Sequence, residues 1–127
     1  MLKLIPVLLL ALSSSACVAA AAGAGAAGAI YVTSRGAESI VDGPVDKVAA
    51  RAKAVMDEMQ IVADAESSKE GGDKRELKGK KGDLDVTIKL ERQGDATTKV
   101  EVSAQKNLAE WDKDYAQQVL RRIVETG

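Results

Sequence analysis

Between residues 84 and 104 the chain alternates apolar and polar positions almost without a break. Leu84, Val86, Ile88 and Leu90 interleave with Asp85, Thr87, Lys89 and Glu91. Gln93-Gly94-Asp95-Ala96 then forms a turn, and the next run places Thr98, Val100, Val102 and Ala104 against Lys99, Glu101 and Ser103. A period of two predicts strands, and the turn between them predicts a hairpin with one wet face.

A different period governs residues 44–59. Val45, Val48, Ala49, Ala52, Val55, Met56 and Met59 follow the i, i+3, i+4, i+7 spacing of a helix stripe. The two Met residues are read as core filler. Asp42-Gly43-Pro44 stops a preceding short strand, 37–41, and starts this helix, with Asp as its cap and Pro in the first turn. A second helix is predicted over 109–125, with Tyr115, Ala116, Val119, Leu120 and Ile123 as its apolar arc. Its acids Asp112 and Asp114 lie early and Arg121 and Arg122 late, as the helix dipole prefers.

Between the helices, 61–66 reads as a strand and Gly71-Gly72-Asp73 as a turn. Residues 75–78 form a weak, polar strand placed near an edge of the sheet, and Gly79 and Gly82 bracket the next turn. The predicted order is β-α-β-β-β-β-α. Strands apolar on only one side bury only one sheet face. The expected fold is therefore α+β, a two-layer sandwich with a mainly antiparallel sheet and both helices on one face.

The first 33 residues have another character. Lys3 provides a positive start, Leu4–Leu12 an apolar run interrupted by Pro6, and Ser13, Ser14, Ser15 and Ala16 a small-residue site. This is the order of a secretory signal, and the apolar run is too short to cross about 30 Å of hydrocarbon. The only cysteine, Cys17, follows at once and has no internal disulfide partner. Ser14-Ser15-Ala16-Cys17 resembles a bacterial lipobox, in which the thiol is diacylated and becomes the new N-terminus. Ser14 stands where such motifs usually carry Leu. Each buried CH₂ of an acyl chain contributes about 0.8 kcal/mol, so two or more chains anchor stably. Val18 follows the cysteine. By resemblance to the enteric sorting rule, in which Asp at that place retains a lipoprotein in the inner membrane, the outer membrane is favoured.

Residues 18–30, VAAAAGAGAAGAI, contain Gly23-Ala24-Gly25-Ala26-Ala27-Gly28, a letter match to G-x-G-x-x-G. That motif binds a pyrophosphate only between a buried strand and a packed helix, so no dinucleotide cofactor is expected. A close-packing membrane helix is one alternative, should the leader stay uncleaved. The preferred division is a signal peptide at 1–16, a lipidated cysteine and Gly/Ala tether at 17–33, and one small domain at 34–127.

With these elements placed, the composition narrows the function. The chain has 127 residues, 18 Lys+Arg against 19 Asp+Glu, no His and no Phe. A near-neutral balance disfavours a nucleic-acid partner. Lys78, Lys80 and Lys81 read as a solvated rim. Without His there is neither the commonest general base nor a Ser-His or Cys-His arrangement, and His/Cys metal sites are excluded. Asp83/Asp85 and Asp112/Asp114 read as turn and helix-start acids, so no enzyme activity, metal or cofactor is expected.

Asp42-Gly43-Pro44-Val45-Asp46-Lys47-Val48 and the run Gly94–Val100, behind a lipobox and a Gly/Ala segment, resemble a family of short, uncharacterised bacterial lipoproteins. A more distant similarity is to the repeated domains of an outer-membrane assembly-machine lipoprotein. The resemblance implies an envelope lipoprotein facing the periplasm, and it offers no catalytic residues to transfer. The expected role is a structural or protein-interaction module, held to the membrane through Cys17 and contacting an envelope protein. The alternative is a carrier of a small apolar ligand between helices and sheet. Trp111, expected at the start of the second helix on the flank of its arc, is the candidate partner contact. The alternative for Trp111 is a cap on the core beside Tyr115.

Overall fold

Alternation and helical spacing become one antiparallel sheet and two helices in the computed structural model, which describes residues 28–126. The strands are β1 (Tyr31–Val32), β2 (Gly36–Asp42), β3 (Val62–Lys69), β4 (Lys74–Lys81), β5 (Leu84–Gly94), β6 (Thr97–Asn107) and β7 (Glu110–Trp111). The helices are α1 (Val45–Glu58) and α2 (Lys113–Glu125). Across the sheet the order is β1-β2-β6-β5-β4-β3, with β7 on β6. Both helices pack on one face of the sheet, so the two-layer α+β sandwich holds.

The core is built from the stripes that periodicity predicts. From β5 come Val86, Ile88 and Leu90; from β6, Val100, Val102 and Ala104; from α1, Val48, Ala52, Val55 and Met56; from α2, Ala116, Val119, Leu120 and Ile123. All are aliphatic, thioether or alanine side chains. At about 25 cal/mol per Å² of apolar area removed from water, they supply the main driving force for folding. Thr98 is buried among them, and its hydroxyl donates to the Gly43 carbonyl at 2.8 Å. That bond ties the β5–β6 turn to the entry of α1.

Several expected boundaries shift. The polar strand at 75–78 is longer and is not at the edge: β4 lies between β3 and β5, and β3 is the outermost strand. The turn at Glu70–Gly72 folds β3 back along the outside of β4. β4 buries little because it contributes only Leu77 and Gly79 to the core. A Cβ on Gly79 would lie 2.7 Å from Met56 Cε and 2.8 Å from Ile61 Cγ2, so glycine is what lets α1 settle there.

The second helix begins at Lys113 rather than near 109, because Asn107 Oδ1 accepts from the backbone N–H of Ala109 and Glu110 and turns the chain back onto β6. Glu110 and Trp111 therefore form a strand, and Asp112 caps the helix by accepting from the Tyr115 N–H at 2.9 Å. At α1 the cap position is Pro44, while Asp42 ends β2. Sheet pairing also reaches back past Ser34, since Tyr31 and Val32 pair with Glu38 and Ala37.

Candidate interaction surface

Trp111 is paired with Gln105 at the end of the sheet and is half-buried. It is not part of the core cluster, nor among the side chains packed against that cluster, whereas Tyr115 is. The two aromatic residues have separate surroundings. Over Trp111 lies the guanidinium of Arg35, 5.2 Å from the ring centroid. Over Tyr115 lies Lys81 Nζ, 5.9 Å from the centroid, which also donates to the Met59 carbonyl. The Tyr115 hydroxyl is buried without a partner. Burial, and secondarily the charge of Asp112, raise its pKa above the ordinary value of 10.0.

Around Trp111 the surface is mixed. A shallow depression of about 420 Å³ is lined by Trp111, Lys106, Glu110, Asp112, Lys113 and Asp114. Beside it, Leu108 stands at the tip of the β6–β7 turn with 98% of its surface exposed. An amphipathic ring, a stacked cation and an exposed aliphatic side chain suit contact with another protein chemically.

The sheet face away from the helices carries a second surface that sequence reading did not single out. Alternation shows which residues point outward but not which of them face each other. The register aligns Glu76, Lys89 and Glu101 in one row across β4, β5 and β6, and Lys74, Glu91 and Lys99 in the next. Charges thus alternate along and across the strands, an arrangement that stabilises cross-strand pairs. Two pairs break the rule, Lys69 opposite Lys74 and Glu38 opposite Glu101. A concavity of about 360 Å³ lies over this face. Its lining is mostly ionic, with Ser67 and Leu90 set among Lys, Arg and Glu side chains.

Among the described residues, no group of His, Cys, Asp or Glu is arranged to hold a metal ion, and no helix is long and apolar enough to cross a membrane. Cys17, the expected signal segment and the expected tether up to residue 27 lie outside the described residues.

What the fold and its surfaces define is a two-layer α+β module. The chain belongs to the family described as a protein of unknown function, DUF3568, whose profile matches residues 1–123. No curated protein matches the chain.

Proposed function

We propose that this chain is a bacterial envelope lipoprotein, anchored by acyl chains on Cys17 and acting as a structural or protein-interaction module without enzymatic activity. The observation that carries the proposal is the order Lys3, apolar Leu4–Leu12, small Ser13–Ala16, then the sole cysteine of the chain. The likeness to short bacterial lipoproteins, and more distantly to domains of an outer-membrane assembly-machine lipoprotein, belongs to the same proposal. Val18 favours the outer membrane, with the domain facing the periplasm. Trp111, Arg35 and Leu108 are the residues proposed to meet an envelope protein.

A carrier role is the second reading, and one observation favours it. A slot of about 250 Å³ between α1 and the sheet is lined in part by Met56, Ala63, Ala65 and Leu77. Its volume falls below the roughly 300–1,000 Å³ usual for small-molecule pockets, so the interaction reading is preferred.

The test is acyl labelling and fractionation of cells expressing the parent or Cys17→Ala, with crosslinking and mass spectrometry on the parent. The proposal expects label and membrane association to vanish together in Cys17→Ala while one envelope protein is recovered above background from the parent. Persistent acylation in the variant would overturn the anchor. Recovery of no partner, with an apolar ligand co-purifying in native mass spectrometry, would favour the carrier.

A further inference from the structure

Among the described residues, four large apolar side chains stand mostly exposed: Tyr31, Val32, Val62 and Leu108. Scattered singly, such residues need no account. Val62 is alone, on β3 at the far edge of the sheet. The other three share the opposite edge. β1, with Tyr31 and Val32, lies outside β2, and β7 lies on the same side of β6, just beyond the end of β2. Arg35 and the half-buried Trp111 join the two strands, guanidinium over ring. Leu108 continues the row at the β6–β7 turn.

The chain also enters the domain along this edge. The Gly28 N–H donates to the Ile40 carbonyl at 2.9 Å, so the backbone already runs beside β2 before β1 begins. Ten residues, 18–27, separate Gly28 from Cys17, a span of at most about 40 Å in any conformation. So short a span keeps the edge at high effective concentration beside whatever holds Cys17. A contact too weak to bind the free chain is then well populated.

We propose that the β1 edge lies against the bilayer that holds the anchor, with Tyr31 and Val32 in its headgroup layer. The proposal rests on the reading of Cys17 as acylated. Tyr suits that layer, because its ring is apolar and its hydroxyl stays wet. Tyr31 and Val32 point to opposite sides of the strand, so a domain resting on this edge brings both to the surface at one depth. Arg35 adds a cation, which anionic headgroups attract.

Other poses offer the bilayer less. The open sheet face would press rows of Lys and Glu against it, Lys74, Glu91 and Lys99 among them. The end of the domain nearest Gly28 presents ion pairs, Arg75 with Asp46 and Arg92 with Asp95, and no large exposed apolar side chain. On the β1 edge, Trp111 and Leu108 also come to the level of the headgroups. The envelope protein proposed to meet them is therefore one held in or on the same membrane.

The test uses the acylated full-length chain in vesicles of phosphatidylethanolamine and phosphatidylglycerol that contain a headgroup-linked quencher. Acylation consumes the Cys17 thiol, so one added cysteine takes a fluorophore. Ser34→Cys marks the β1–β2 turn and Ser68→Cys marks β3, both at exposed positions. Ser68 lies level with Ser39, near where Gly28 enters, and Ser34 lies toward the other end of the edge. A domain standing on its Gly28 end would therefore quench the Ser68 label more. Quenching about threefold stronger at Ser34 than at Ser68 is expected. Adding Tyr31→Ser and Val32→Ser should abolish that difference while the chain still floats with the vesicles and melts like the parent. Equal quenching at the two positions, stronger quenching at Ser68, or a difference that survives the two serines would overturn the pose. So would quenching at neither position in a chain that floats, which would leave the edge in water and open to a protein. An intact mass without acyl chains, in a chain that does not float, would instead overturn the anchor, and the pose with it.

Discussion

Arg35 and Trp111 meet across the end of the sheet, the guanidinium 5.2 Å from the centre of the indole ring. Arg35 is held in place because it sits in the Thr33–Gly36 turn, where the Gly36 N–H donates to Thr33 Oγ1 at 3.0 Å and the Thr33 N–H donates to the Gly36 carbonyl at 2.9 Å. Trp111 is held by β7 and by the Asp112 N–H, which donates to the Ala104 carbonyl at 2.7 Å. The ring is thus fixed from both sides while one part of it stays accessible.

Trp111→Ala should accordingly cost little stability. A cation–π contact at an exposed site contributes about 0.5–1 kcal/mol, which lowers the melting temperature of a domain this size by no more than about 8 °C. Arg35→Ala should cause a similar drop, and the double variant should lose less than the sum of the two. Thermal denaturation followed by circular dichroism decides the matter. A loss of about 3–5 kcal/mol, the usual cost of removing a buried Trp, would make Trp111 a core cap instead.

Gly36 lies where β2 passes close to α2. A Cβ there would sit 2.0 Å from the Val102 carbonyl oxygen and 2.8 Å from Ala116 Cβ. Overpacking of a well-filled core usually costs about 1–3 kcal/mol. A backbone oxygen cannot swing aside as a side chain can, so Gly36→Ala should exceed that range and leave the domain largely unfolded. Gly71→Ala makes the comparison: it has open space around it and only the left-handed backbone to oppose it, at φ +66°, about 1–2 kcal/mol. Urea denaturation of the two variants should separate them clearly, and equal midpoints would show that the β2–α2 approach can relax.

Tyr115 makes stability depend on alkaline pH. Its pKa is raised in the folded chain, first by burial and then by Asp112. Between the unfolded value near 10 and the higher folded value, the folded state holds more protons than the unfolded one. The stabilisation is therefore fully present below about pH 10 and is lost as pH rises through the folded pKa. Tyr115→Phe should flatten the fall in melting temperature between about pH 9 and about pH 11. At neutral pH it should match or exceed the parent, because the hydroxyl it removes has no partner. Parallel alkaline slopes in parent and variant would contradict this account.

Periodicity alone determined most of the architecture. The alternation over 84–104 and the stripes from Val45 to Met56 and from Ala116 to Ile123 depend only on the backbone repeat of each element, which is local, so they could be read along the chain. The order of Lys3, an apolar run and small residues before Cys17, from which the anchor is proposed, likewise lies in consecutive residues. What the tertiary structure decided is everything that depends on which strand lies beside which. β4 became interior and β3 the edge because a turn at Glu70–Gly72 laid β3 outside, and a polar strand looks the same in either place. Trp111 became a strand residue over which Arg35 stacks because Asn107 captured two backbone N–H groups and turned the chain back, a contact helix periodicity does not encode. The charge rows on the open face required the cross-strand register, which sets distant residues opposite each other. Spacing along one strand carries no information about the neighbour it will meet, and the surfaces proposed for partners arise from that neighbour.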